Sequence, residues 1–305
     1  MKGAMSAARW TERQRIGFTD IDQDRRIKFS SMIRFVGAGY AGLFSQLTTI
    51  DRADYFTTHG LTPITTYAQL ERASRSTPLD TEIELRYEVT LGFVRGRQSD
   101  LRRYGGNDEI ELTDAERGPP LGWWSQHWLW FSQERGAPLD RPAPGLGVDQ
   151  TDELPPVPAR PDPCSGSSAE DRFRWALRET DMNNHVSFAA YLERAENGLA
   201  DAQLDAASPD RASIWFSRPS FAGELMRSVA GDDDGAFLVQ FLRAQSDELC
   251  ATLCLRAPPR SIAPTSHLRA EVTDRTPERS NTPPPPVTPS TVVRGDKQGE
   301  ESELA

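Results

Sequence analysis

Cysteine and histidine are scarce in this sequence, three of one and four of the other in 305 residues. No CxxC pair and no Cys/His spacing of a zinc site occurs, so neither a disulfide framework nor a metal centre is implied. Cys250 and Cys254, four apart in an expected strand, should point the same way into a core. Long apolar runs are missing as well. The opening MKGAMSAARWTERQR lacks the apolar stretch of a signal peptide, and no run approaches the ~20 residues of a membrane span. A soluble, reducing, cytoplasmic setting with no membrane partner is expected. An excess of positive charge is also absent. The net charge of −10 argues against nucleic-acid binding, which needs a basic face to neutralise phosphates. Nothing in the sequence calls for a cofactor.

What is present divides by composition. Residues 136–168 carry eight prolines, at 138, 142, 144, 155, 156, 158, 161 and 163, with hardly any apolar period. Proline at that density stiffens an extended connector and prevents a helix or central strand. Residues 258–305, with PPPP at 283–286, read as a disordered tail, and residues 1–11 as a flexible start. Two blocks remain, 12–135 and 169–257.

The two blocks resemble each other. Without a gap, DIDQDRRIKFSSMIRFVGAGYAG (20–42) lies on ETDMNNHVSFAAYLERAENGLAD (179–201). Asp22 falls on Asp181, Phe29 on Phe188, Ile33 on Leu192 and Gly39 on Gly198. Positions 29, 33, 36 and 40 step by 4, 3 and 4, the period of one helix face. A glycine at the same place in each helix suggests that something packs closely there. Each helix follows a short strand-like run, RQRIGF or FRWAL, and precedes several antiparallel strands. The first block shows TPITTYAQL, TEIELRYEVTLGFV and GWWSQHWLWF, with a polar stretch near 104–118 before the last. The class is α+β, one helix on one curved sheet in each half. The two sheets can join edge to edge and so hide their exposed edge strands.

With an Asp-x-Asn-x-His segment leading into the second helix, this arrangement resembles the double hotdog of the acyl-ACP thioesterases. That family's pattern is Asp-x-Asn-x-His-Val-Asn-Asn, then a helical Tyr. Asp181, Asn183, His185, Val186 and Tyr191 match it, whereas Ser187 and Phe188 replace the two Asn. The resemblance implies two tandem hotdog domains forming a pseudo-dimer with a joined sheet. It further implies an enzyme that hydrolyses an acyl thioester on acyl carrier protein or coenzyme A, as a monomer or homodimer. Order of elements extends it over roughly residues 12–257, while the specific residues lie between 173 and 200. One departure matters. The family carries Glu and Cys on the strand after the second helix, and the alignment puts Ser220 and Phe221 there, with Glu224 close by.

Thioester hydrolysis needs an activated water or carboxylate nucleophile and donors for the oxyanion. Alternate residues on an extended lead-in share a face, so Asp181, Asn183 and His185 would converge at the N–H groups of a helix start. Asp181 would be base or nucleophile, Asn183 would position water or carbonyl, and His185 would transfer the proton. Asn184 and Ser187 read as helix caps. The first block has Asp22, Asp24 and Arg26 at the matching places, and Arg cannot exchange a proton at working pH. That half reads as a degenerate copy shaping the acyl pocket, with Asp22 a cap or ion-pair partner.

Tyr191 and Trp123 are candidate pocket residues, since aromatics dominate such linings. His127, among aromatics, reads as a packed core residue, and Tyr55 and His59 as members of a polar loop. Of Glu193 and Glu196 on the second helix, at least one should face solvent. Arg95, Arg97, Arg102 and Arg103 form a basic cluster on an acidic chain. It could hold the phosphates of a phosphopantetheine arm or coenzyme A, dock a carrier protein, or simply be a solvated hairpin. Two rival functions share the same residues. One is a hotdog dehydratase or cyclase acting on a carrier-bound polyketide, the other a non-catalytic acyl-binding module.

Overall fold

The computed structural model describes residues 7–73, 76–77, 79–96, 99–116, 118, 120–162, 169–181, 185–201, 209–233 and 236–257. Asn183, Arg97, Cys164 and the tail from Pro258 lie outside them. The first lobe runs β1 (Ala8–Arg15), a 3-10 turn (Phe18–Asp20), α1 (Phe29–Leu47) and a short α2 (Arg52–His59). It continues with β2 (Leu61–Arg72), β3 (Glu82–Gly96), β4 (Ser99–Asp114) and β5 (Pro120–Ser132). Two-residue strands β6 (Ala137–Pro138) and β7 (Asp152–Glu153) fall in the connector. The second lobe repeats the order with β8 (Ala169–Arg174), a 3-10 turn (Leu177–Glu179), α3 (Phe188–Asp201) and β9 (Arg211–Phe216). It closes with β10 (Leu225–Asp233), β11 (Ala236–Arg243) and β12 (Leu249–Arg256).

All these strands form one sheet, ordered β1-β3-β4-β5-β2-β9-β12-β11-β10-β8, with β6 beside β5 and β7 beside β3. The second half of that order is the first half reversed, as a two-fold relation between lobes requires. The lobes join where β2 pairs with β9 antiparallel, from Tyr67 opposite Trp215 to Glu71 opposite Arg211. The join removes two edges that would otherwise offer unpaired N–H and C=O groups. This is a double hotdog fold. The helices α1 and α3 pack against each other on one face of the sheet. The stripe of Phe29, Met32, Phe35, Val36 and Leu43 is buried because it recurs at the helical period.

Gly39 allows a close approach. A Cβ there would stand 2.2 Å from the Tyr87 hydroxyl, which donates to Val36 O at 3.0 Å. Its counterpart Gly198 has nothing within 4 Å, so the expectation of close packing at both glycines holds only in the first lobe.

Four sequence expectations are corrected. The chain enters the sheet at Ala8, inside the segment expected to be flexible. Only Ala8 of β1 is fully buried, so the strand has little apolar signal. The polar stretch near 104–118 is mostly β4, whose inward residues Asp108, Ile110 and Leu112 alternate with outward Glu109 and Glu111. Tyr55 and His59 lie on α2, where Tyr55 is buried under Phe44 and Trp130. Cys250 and Cys254 face opposite sides, because a bulge opposite Phe241/Leu242 breaks the alternation of β12.

The connector touches both lobes. Leu154 N–H donates to Phe93 O at 2.9 Å on β3, and Trp215 Nε1 on β9 donates to Pro158 O at 3.0 Å. Among the described residues no helix is long and apolar enough to cross a membrane.

Candidate active site

Each long helix is entered through the same closed loop. In the second lobe Thr180 and Val186 form an isolated bridge, and Ser187 N–H donates to Glu179 O at 2.7 Å. Asp181 N–H donates to His185 O at 2.8 Å, and His185 N–H returns to Asp181 Oδ1 at 3.3 Å. Asp181 therefore holds the turn shut while standing exposed at its mouth. His185 is half-buried, its ring edge-on to Phe221 at 5.2 Å. Ser187 caps α3, its hydroxyl accepting from Ala190 N–H at 3.3 Å.

The strand lead-in after β9 braces this loop. Val186 N–H donates to Ser220 O at 2.8 Å, and the Ser220 hydroxyl accepts from Tyr191 at 2.8 Å. Ser220 and Phe221 thus stand beside the loop. Glu224 accepts from Phe221 N–H at 3.1 Å, pairs with Arg243 at 3.4 Å and lies within electrostatic reach of Tyr191. Tyr191 packs among Trp175, Phe216 and Phe241, and burial pushes its phenol far up. With its hydroxyl on Ser220, Tyr191 props the site from below.

The first lobe closes its loop with the same hydrogen bonds. Ile21 bridges Ile27, Asp22 N–H donates to Arg26 O at 2.9 Å, and Arg26 N–H donates to Asp22 Oδ1 at 2.9 Å. Its surroundings differ. Arg72, at the end of β2, pairs with Asp22 Oδ2 at 2.8 Å and is only 3% exposed. Arg72 and Arg26 both donate to Pro209 O at 2.7 Å. Glu196 on α3 lies beside the start of α1, within the electrostatic reach of Arg72, Asp22 and Phe29 N–H. Burial pushes the Glu196 carboxyl up to about 7 against the pull of Arg72 and Phe29 N–H. Glu193, by contrast, is exposed.

Trp123 is the other correction. From Trp123 onward the odd-numbered residues of β5 face away from the helices, so the helix side is taken by Trp124, which meets Phe188 of α3 at 5.3 Å. With two tryptophans in a row, composition cannot tell which faces in. His127 lies on the outer face near Tyr67, and burial pulls its imidazole down. Arg95 pairs with exposed Glu153 at 3.2 Å, and Arg102 stacks on Phe93 at 4.4 Å. The register carries this β3–β4 hairpin to the end of the sheet at which β9 runs into Ser220. Among the described residues no group of three His, Cys, Asp or Glu could hold a metal ion.

Sequence reasoning missed Arg72, Trp124 and Phe216 as site neighbours, and none carries a motif signal. Packing of each helix on the sheet brings Arg72 and Phe216 beside the helix start of their own lobe, and Trp124 reaches Phe188 across the lobes.

No protein-family model matches this chain, and no curated protein matches it. Solved structures do share its fold. An acyl-ACP thioesterase from Bacteroides thetaiotaomicron is 13% identical with a TM-score of 0.63, covering 81% of this chain and 97% of that one. A Lactobacillus plantarum protein assigned as an oleoyl thioesterase is 17% identical at 0.62, covering 85% and 98%. The 12:0-ACP thioesterase from Umbellularia californica is 9% identical at 0.64, covering 83% and 98%.

Proposed function

We propose that the chain hydrolyses an acyl thioester, carried on acyl carrier protein or coenzyme A, at the second-lobe loop. One observation carries the reading. Of two loops closed by the same hydrogen bonds, only one ends in a half-exposed titratable side chain, His185 beside exposed Asp181. The likeness in fold to three thioesterase structures supports it.

Asp181 takes a proton from water, and the hydroxide adds to the thioester carbonyl carbon. The N–H groups at the start of α3, with the helix dipole behind them, hold the oxyanion. The C–S bond then breaks, and the proton passes through His185 to the departing sulfur. Water and thioester thus become acid and thiol. Asn183 positions the water or the carbonyl. The Arg95–Arg103 hairpin, at the same end of the sheet, offers guanidinium groups to the phosphates of the leaving group or to an acidic carrier.

The second reading, a dehydratase or cyclase on a carrier-bound chain, draws on Ser220 and Phe221 standing where the thioesterase pattern has Glu and Cys. The test is free-thiol release from acyl-coenzyme A and acyl-carrier panels, with intact-mass analysis of the carrier. Wild-type protein should release thiol, and His185→Ala should be slower by ~10² or more. Loss of water from the carrier-bound chain without thiol release would select the second reading.

A further inference from the structure

In the core of the first lobe a carboxyl group is buried completely. Asp108 of β4 is 0% exposed, and three uncharged side chains donate to it. The Tyr40 hydroxyl on α1 and Gln126 Nε2 on β5 each reach Oδ2 at 2.6 Å, and Trp128 Nε1 reaches Oδ1 at 2.8 Å. Gln126 Nε2 also donates to the Tyr40 oxygen. Gly106 makes room for the indole, since a Cβ there would stand 2.4 Å from the Trp128 ring. Polar groups buried together cost stability wherever one of them lacks a partner.

The second lobe does without this cluster. Counted from Phe216, which meets Phe188 as Arg72 meets Phe29, the pair equivalent to Asp108 opposite Gln126 is Phe237 opposite Leu255. Both are core residues, and Leu199 falls on Tyr40 in the repeat. The same fold therefore closes over apolar residues at these places. In the first lobe one atom of the cluster is left over. The Asp108 carboxyl and the Tyr40 oxygen take the Gln126 amide N–H groups, so Oε1 points the other way. Gln126 is 8% exposed, yet its Oε1 accepts from no described residue and is not fully enclosed. The donors of the cluster are spent on its own members, and what it presents is an acceptor.

That acceptor lies close to the candidate site. Trp124 of β5 meets Phe188 at the start of α3, and Gln126 is the next residue of β5 on that face, about 7 Å further along. An acyl group that reacts at the second-lobe loop and runs between α1 and β5 passes Gln126. We propose that the substrate carries a hydroxyl group on its acyl chain, and that this hydroxyl donates to Gln126 Oε1 inside the first lobe. The inference rests on the thioesterase reading and adds to it a substrate class, the hydroxyacyl thioesters. A keto group brings only an acceptor and finds no spare donor here. An ammonium group would have to shed its water among Trp124 and Trp128 for a single open acceptor.

Binding of coenzyme A thioethers, which cannot be hydrolysed, tests it beside hydrolysis of the matching acyl-coenzyme A esters. The series keeps one chain length, either unsubstituted or with a hydroxyl, keto or amino group moved carbon by carbon along the chain. Wild type should bind one hydroxyl isomer ~10-fold tighter than the unsubstituted, keto and amino thioethers. Gln126→Met, similar in shape but without the acceptor, should bind that isomer and the unsubstituted thioether alike. Thermal unfolding checks that the variant is folded, and should it not fold, the wild-type series still decides. Wild type that favours no hydroxyl isomer, or favours a keto or amino chain, would overturn the inference while leaving hydrolysis standing. A hydroxyl preference that survives in folded Gln126→Met would overturn it as well. A Gln126-dependent hydroxyl preference in a protein that hydrolyses nothing would keep the hydroxyl contact and sink the thioesterase reading. Wild type that neither binds nor hydrolyses would overturn both.

Discussion

At Asp22 and at Asp181 the chain turns back through the same pair of hydrogen bonds, yet the side chains that close the two loops meet opposite surroundings. Arg26 is 7% exposed and shares the Pro209 carbonyl with Arg72, which in turn grips Asp22. His185 meets only half-burial and the Phe221 ring. One loop has become a buried electrostatic pin between lobes, and the other keeps a group that can carry a proton. A repeated backbone motif therefore does not imply a repeated activity. The backbone bonds preserve the turn, while the residues around it decide whether a ligand can approach or a guanidinium fills the place.

The sharpest way to break this contrast is to make the same change in both loops. Asp181→Asn should slow the single-turnover chemical step by ~10²–10⁴, with the protein still folded. Asp22→Asn should leave that step nearly untouched and instead lower unfolding stability by about 3 kcal/mol, because buried Arg72 loses the carboxylate it is paired with. Equal collapse of the chemical step in both variants would show two working sites or a shared one.

A smaller effect separates the lobes by pH. The folded-state carboxyl of Glu196 sits near 7, above its ordinary 4.5, so its contribution to stability is fully present below about 4.5 and is lost as pH rises through about 7. Wild-type stability should fall over that window by at most ~3 kcal/mol. Glu196→Gln cannot ionise, so this part of the slope should vanish. Urea denaturation at pH 5, 6, 7 and 8 reads it directly, and parallel slopes for the two proteins would refute the buried-acid assignment.

The smallest effect compares the paired glycines. Gly39→Ala would press a methyl against Tyr87 and should destabilise by ~1–3 kcal/mol. Gly198→Ala meets nothing and should stabilise the helix by up to ~1 kcal/mol. Thermal unfolding of both decides it, and shifts of the same sign would contradict the difference in packing.

Much of the architecture was legible from the chain. The period of 4, 3 and 4 in both blocks, and their gapless alignment from Asp22 on Asp181 to Gly39 on Gly198, mark two helices of common origin. Turn closure by Asp needs only neighbours close in sequence, so Asp22 and Asp181 could be picked out as a pair. β4 was obscured because half of its residues face solvent and one inward residue is Asp108, held by Tyr40, Gln126 and Trp128 rather than by apolar contacts. Trp123 was mistaken for Trp124 because facing is a property of the register, and adjacent tryptophans look alike to composition.

By itself the sequence determined the elements whose signals are local: helical period, turn closure, the stiff proline connector and a titratable His185 against an untitratable Arg26. Only the tertiary structure decided which groups surround each loop. Arg72, Glu196 and Pro209 converge on Asp22 from distant parts of the chain because β2 pairs with β9 and α1 packs on α3. Burial and Coulomb interaction act through space, so charge neighbours remote in sequence leave no periodic trace in it.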